Sequence, residues 1–130
     1  MASVDRGVVL KKILIADDSS TMRSLIVSTL DAMDDFELIE AANGFEALRI
    51  LPREKVDLVL TDINMPDING LELVSFVRNN PLYKDTPLVI ISTEGSQRDR
   101  EKGLALGANA YLVKPFRPEE LQKLVAELLN

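Results

Sequence analysis

Five short apolar runs alternate with longer segments whose apolar residues recur at helical spacing, and this alternation constrains the fold more than any other feature of the chain. Residues 12–16 (KILIA) read as a buried strand. From Ser19 to about Met33, the residues Met22, Ile26, Leu30 and Met33 form one helical stripe. Residues 36–41 (FELIEA) alternate like a more exposed strand, and Asn43 with Glu46 three residues on opens a helix to about Leu51. Residues 56–61 give a third strand, followed by a loop over 62–69 and a helix from Gly70 to about Asn79. The run LVIIS at 88–92 is the most apolar and is expected near the centre of a sheet. Ser96 and Asp99 open a helix that ends near Gly107. Residues 110–113 form the last strand, and Pro118 suits the first turn of a final helix to Leu129.

Strands joined by helices pair in parallel through right-handed crossovers, with helices on both faces. The expected fold is α/β, a doubly wound five-stranded parallel sheet with five helices. Residues 1–11 read as an N-terminal tail and 12–130 as one domain, within the usual size range. No apolar run approaches the roughly 18 residues of a membrane helix. The opening MASVDRGVVLKK lacks the apolar core of a secretory signal, so no membrane insertion and a cytoplasmic location are expected.

The chain has neither cysteine nor histidine. That excludes disulfide scaffolds, thiol catalysis, histidine acid–base chemistry and Cys/His zinc sites. Any metal must sit on oxygen, which points to Mg²⁺, Ca²⁺ or Mn²⁺. The net charge of −6 argues against a nucleic-acid groove, which needs a basic face.

In doubly wound sheets ligands bind beyond the carboxyl ends of the strands. The first predicted strand ends in Asp17-Asp18, the third in Asp62, the fourth in Ser92-Thr93 and the fifth in Lys114-Pro115. Any one of these alone reads as a turn former, helix cap or solvated lysine. Together they put three carboxylates, a hydroxyl pair and an ammonium on one rim. Carboxylates so close repel one another unless a cation joins them, and a mostly hydrated oxygen site suits Mg²⁺. Lys114 adds a second positive point for an anion, and Ser92 a donor to a phosphoryl oxygen. These parts suit phosphoryl transfer, with Asp62 the best-placed carboxylate nucleophile.

The segments ADDSSTMR at 16–23, LTDINMP at 60–66, NGLEL at 69–73, VIIST at 89–93 and ALGANAYLVKPF at 105–116 resemble the response-regulator receiver domains of two-component signalling, most closely the stand-alone chemotaxis type. The resemblance runs through nearly the whole chain after residue 11. It implies a flavodoxin-like sheet of order 2-1-3-4-5 and Mg²⁺ as cofactor, with Mn²⁺ as an alternative. Asp62 is then the phosphoacceptor, self-catalysing its phosphorylation and dephosphorylation in a protein that is otherwise no enzyme. Asp18 is a direct metal ligand, Asp17 acts mainly through metal-bound water, and Asn64 offers its backbone carbonyl. Ser92 takes the hydroxyl switch position, with Thr93 beside it, and Lys114 pairs with the phosphate. Tyr111 is the aromatic switch, expected to swing inward on activation. Asn64 and Glu94 tune dephosphorylation, and the Lys114–Pro115 bond is cis. Chemotaxis receivers carry Thr where Ser92 stands; without the methyl, coupling to Tyr111 is expected to be looser.

The implied partners are a histidine kinase and a downstream target on the face formed by residues 96–106, 110–113 and 118–129, the receiver acting as a monomer. No output domain follows the last helix, which leaves a single-domain regulator, a phosphorelay intermediate and a receiver excised from a longer protein as alternatives. A flavodoxin-like flavin electron carrier fits poorly, because Asp17 and Asp18 would repel the flavin phosphate and aromatic residues are only 5% of the chain. An aspartyl-phosphate hydrolase would need a second acid that does not stand out, and the GxxxxGK[ST] nucleotide loop is missing.

Overall fold

The computed structural model describes residues 10–130 apart from Asp34. Most of the tail expected at 1–11 lies outside the described residues; Lys11 already belongs to the first strand. The order is β1 (Lys11–Ala16), α1 (Ser20–Asp31), β2 (Phe36–Ala41), α2 (Gly44–Ile50), β3 (Leu58–Thr61), α3 (Gly70–Asn79), β4 (Leu88–Ser92), α4 (Gln97–Ala105), β5 (Ala110–Val113) and α5 (Pro118–Leu129). All five strands pair in parallel in the order β2-β1-β3-β4-β5. The switch in order falls between β1 and β3, so the chain ends of those two strands lie side by side. β3 is the middle strand; β4, expected near the centre from its apolar run, is its neighbour and is fully buried.

Period-two alternation divides the core into two layers. Ile13, Ile15, Leu58, Leu60, Val89 and Ile91 face one way, against Ile26 and Leu30 of α1 and Leu121 and Val125 of α5. Leu14, Ala16, Val59, Leu88 and Ile90 face the other way, against Ala47 of α2 and Leu73, Val74 and Val77 of α3. Strands covered on both faces need apolar residues at every position, which is why they read as continuous runs. Among the described residues no helix is long and apolar enough to cross a membrane.

Helix starts follow their caps. Ser19 accepts from the Met22 amide, Asn43 from Glu46 and Ser96 from Asp99, while Asn69 and Glu72 form a reciprocal capping box. β3 starts two residues later than its apolar run suggests. The Asp57 carboxylate accepts the Lys12 amide at 2.8 Å, so a side chain takes the place of a ladder partner there.

α4 is the least anchored helix. Its only buried residue is Gly103, and a methyl group there would come within 2.7 Å of Ile90 Cδ1 and 3.2 Å of the Tyr111 ring. The missing side chain is what lets α4 lie against β4 and β5. Just past its end, Arg78 of α3 donates to the carbonyls of Gly107 at 2.8 Å and Thr86 at 2.7 Å, and to Asn109 Oδ1 at 2.8 Å.

Candidate functional site

The sheet ladder carries the acidic residues to the rim. The Asp17 amide donates to the Ala41 carbonyl at 3.1 Å, and the Asp62 amide to the Ala16 carbonyl at 2.9 Å. Pairing thus continues one residue beyond β1 and β3 and sets Asp17 and Asp62 side by side. Asp17 (1% exposed) and Asp62 (9%) are buried, whereas Asp18 faces solvent. One carboxylate oxygen from each of the three lies within 4.8 Å of the others. Three hard oxygen donors at this spacing, two of them withdrawn from water, fit a small divalent cation of the Mg²⁺ class.

Lys114 closes the cluster. Its amide donates to the Ser92 carbonyl at 2.8 Å, tying it to the end of β4, and the Lys114–Pro115 peptide bond is cis. Its ammonium, itself buried, lies 2.9 Å from Asp17 Oδ2 and 3.4 Å from Asp62 Oδ2. Both Asp17 oxygens are engaged, since Oδ1 accepts the Ser19 amide at 2.9 Å. Asp62 Oδ1 accepts the Ile63 amide at 2.7 Å, which leaves Oδ2 turned toward Lys114. Burial raises the Asp62 carboxyl above the ordinary aspartate range; Lys114 opposes the shift and Asp17 adds to it.

The remaining predicted residues surround this cluster unevenly. Asn64 is exposed, and its amide donates to Glu94 Oε2 at 3.3 Å, joining the β3–α3 and β4–α4 loops across the mouth of the site. Ser92 is fully buried, and its hydroxyl accepts the Glu94 amide at 3.0 Å; Thr93 beside it is exposed. Tyr111 departs from the expectation of an inward swing, because it is already inside at 5% exposure, its hydroxyl donating to the Glu94 carbonyl. The glycine of α4 leaves the space its ring occupies. Burial pushes the phenol up, nearby Asp99, Glu94 and Asp62 add to this, and the Ser92 hydroxyl opposes it.

Two contributors were not singled out from sequence. A methyl group on Gly70 would stand 1.9 Å from the Asp62 carbonyl oxygen, so the start of α3 presses directly on the main chain of Asp62. Arg23 donates to the Asp17 carbonyl at 2.6 Å. Both act through backbone carbonyls, which leave no trace in apolar periodicity; NGLEL and ADDSSTMR contained them without indicating why.

Comparison with known proteins agrees with this geometry. Residues 13–126 match the family of the response regulator receiver domain. A chemotaxis protein CheY homolog of Campylobacter jejuni is 42% identical over 120 residues, 92% of each chain. Chemotaxis protein CheY1 of Helicobacter pylori is 40% identical, over 92% of this chain and 97% of that one. Among solved structures, chemotaxis protein CheY4 of Vibrio cholerae superposes with a TM-score of 0.86 at 38% identity, covering 93% of this chain and all of that one.

Proposed function

The chain belongs to the response regulator receiver family, and from that premise we propose that it is a chemotaxis-type signalling switch that takes a phosphoryl group from a histidine kinase onto Asp62. A receiver is a switch and not a turnover enzyme. The observation that carries the reading is the rim itself, where Asp62 Oδ2 faces Lys114 beside two further carboxylates.

Oδ1 of Asp62 is tied to the Ile63 amide, so Oδ2 is the nucleophile. It forms the new O–P bond as the P–N bond to the kinase imidazole breaks, and the imidazole nitrogen takes its proton from solvent. Lys114, already held by Asp17, keeps a positive charge beside the incoming phosphoryl oxygens. The Ser92 hydroxyl, which accepts the Glu94 amide, keeps its own proton and would donate it to another of them. Asp17, Asp18, Asp62 and the Asn64 carbonyl would hold Mg²⁺. When bound, the ion supplies the positive charge that lets a dianion approach an acidic rim. Asn64 and Glu94, bridged across the mouth, control water entry and so the lifetime of the acyl phosphate.

Partner binding is assigned to α4, β5 and α5. α4 has a single buried residue, and that residue lies on the Tyr111 ring, whose hydroxyl reaches the loop carrying Glu94. A change at Ser92 or Glu94 on phosphorylation therefore reaches α4 through Tyr111.

The test is labelling with acetyl phosphate followed by intact mass spectrometry. One hydroxylamine-labile phosphate is expected with Mg²⁺ and none with EDTA. Labelling of Asp62→Ala to the wild-type level would overturn the assignment.

A further inference from the structure

Arg23, the last residue of ADDSSTMR, has no part in the chemistry above. It sits in the first turn of α1 and joins the β1–α1 loop to β2. Nη1 donates to the Asp17 carbonyl at 2.6 Å, and Nε to Glu40 Oε1, near the end of β2, at 3.1 Å. The Asp17 carbonyl and the Asp18 amide share one rigid peptide plane, so holding the carbonyl fixes the direction in which Asp18 leaves the backbone. That matters because Asp18 is exposed and its carboxylate is aimed by its backbone rather than by packing. Asp17 needs no such help, with Ser19 and Lys114 on its two oxygens. A guanidinium is a planar fork, and the ion pair with Glu40 sets the plane in which it presents its N–H groups.

We propose that Arg23 is a positioning residue for the metal site: by joining Glu40 to the Asp17 carbonyl it presets the Asp17–Asp18 peptide, so that the two carboxylates meet the cation without rearrangement. This rests on the receiver reading, since it presumes that the acidic cluster takes Mg²⁺. Charge and positioning predict opposite signs. A cation beside the cluster repels Mg²⁺, so if charge were its only effect, removing Arg23 would tighten binding. If it positions the peptide, removal weakens binding on the scale of other outer-shell partners, about tenfold or more.

The experiment is calorimetric titration of the full chain with magnesium chloride. Arg23→Met and Arg23→Lys are each expected to bind about tenfold more weakly than wild type. Lysine keeps the charge but, as a single point, cannot serve both acceptors. Glu40→Gln, whose amide oxygen still accepts from Nε, should lose less. Val125→Ala, a core truncation in α5 remote from the rim, controls for lost stability and should bind as wild type does. Wild-type or tighter binding by Arg23→Met, full rescue by lysine, or equal weakening in Val125→Ala would overturn the positioning role. Should Arg23→Met not fold, the lysine variant decides alone. A wild-type chain that binds no Mg²⁺ would instead sink the receiver reading itself.

Discussion

Replacing Asp62 by asparagine should make the metal-free protein more stable. The side chain keeps its shape, and its amide oxygen can still accept the Ile63 amide now bound to Oδ1 at 2.7 Å. What changes is charge. At an effective dielectric of about 20, losing the Lys114 contact at 3.4 Å forfeits about 5 kcal/mol of attraction. Relieving repulsion from Asp17, with oxygens within 4.8 Å, returns at least about 3.5 kcal/mol, and exposed Asp18 returns a screened fraction of the same. These nearly cancel, which leaves the cost of burying a charge at a site 9% exposed. Desolvation is also the leading cause of the raised Asp62 carboxyl, ahead of Lys114 and Asp17. The net gain should be about 1–2 kcal/mol, the usual yield of relieved active-site strain.

With a urea dependence of about 1–3 kcal/mol per molar, the unfolding midpoint should rise by roughly 1 M in EDTA at neutral pH. A carboxyl raised in the folded state favours folding below its unfolded-state value, and that contribution is lost as pH rises through the raised value. The mutant's advantage should therefore be absent in acid and appear as pH climbs from the ordinary aspartate range through the Asp62 value. Millimolar Mg²⁺ should reverse it, because only wild type regains stability by binding. An asparagine variant no more stable than wild type in EDTA would refute the account of a rim held at a cost.

Asp18→Asn should stabilise the metal-free fold by less than about 1 kcal/mol, since Asp18 is exposed, yet weaken Mg²⁺ binding; urea melts in EDTA and calorimetric titration separate the two effects. Gly70→Ala should cost about 3 kcal/mol and slow phosphorylation. A methyl 1.9 Å from the Asp62 carbonyl oxygen meets main chain that cannot yield without moving Asp62; near-native melts with normal labelling would refute it. Hydrogen exchange should be fast over 97–102 and change with a beryllofluoride mimic, because α4 buries only Gly103; an unchanged profile would move the output surface elsewhere.

The inner strands were legible because a sheet covered on both faces needs apolar residues at nearly every position, the edge strand β2 because it alternates, and three helix starts because Ser19, Asn43 and Ser96 cap them through side chains. The rim was legible because Asp17, Asp62 and Lys114 each follow a strand directly. Strand order was not, since local pattern does not say which strands pair; it came from resemblance. The inward position of Tyr111 was hidden for another reason. The ring packs closely under Gly103, eight residues earlier, whose contribution is an absent side chain. Gly70 and Arg23 escaped likewise, since each touches a carbonyl that every residue type possesses.

The glycine anchor of α4 separates two demands that most helices must meet with the same residues. One position in nine holds the helix to the sheet, and it does so with backbone and empty space. The other positions carry almost no packing duty, and exposed substitutions of that kind usually shift stability by no more than about 0.5 kcal/mol. Their chemistry can drift freely while the scaffold beneath stays as it is. A lineage could thus reassign this helix to a new recipient by surface changes alone, leaving the acidic rim and its timing untouched.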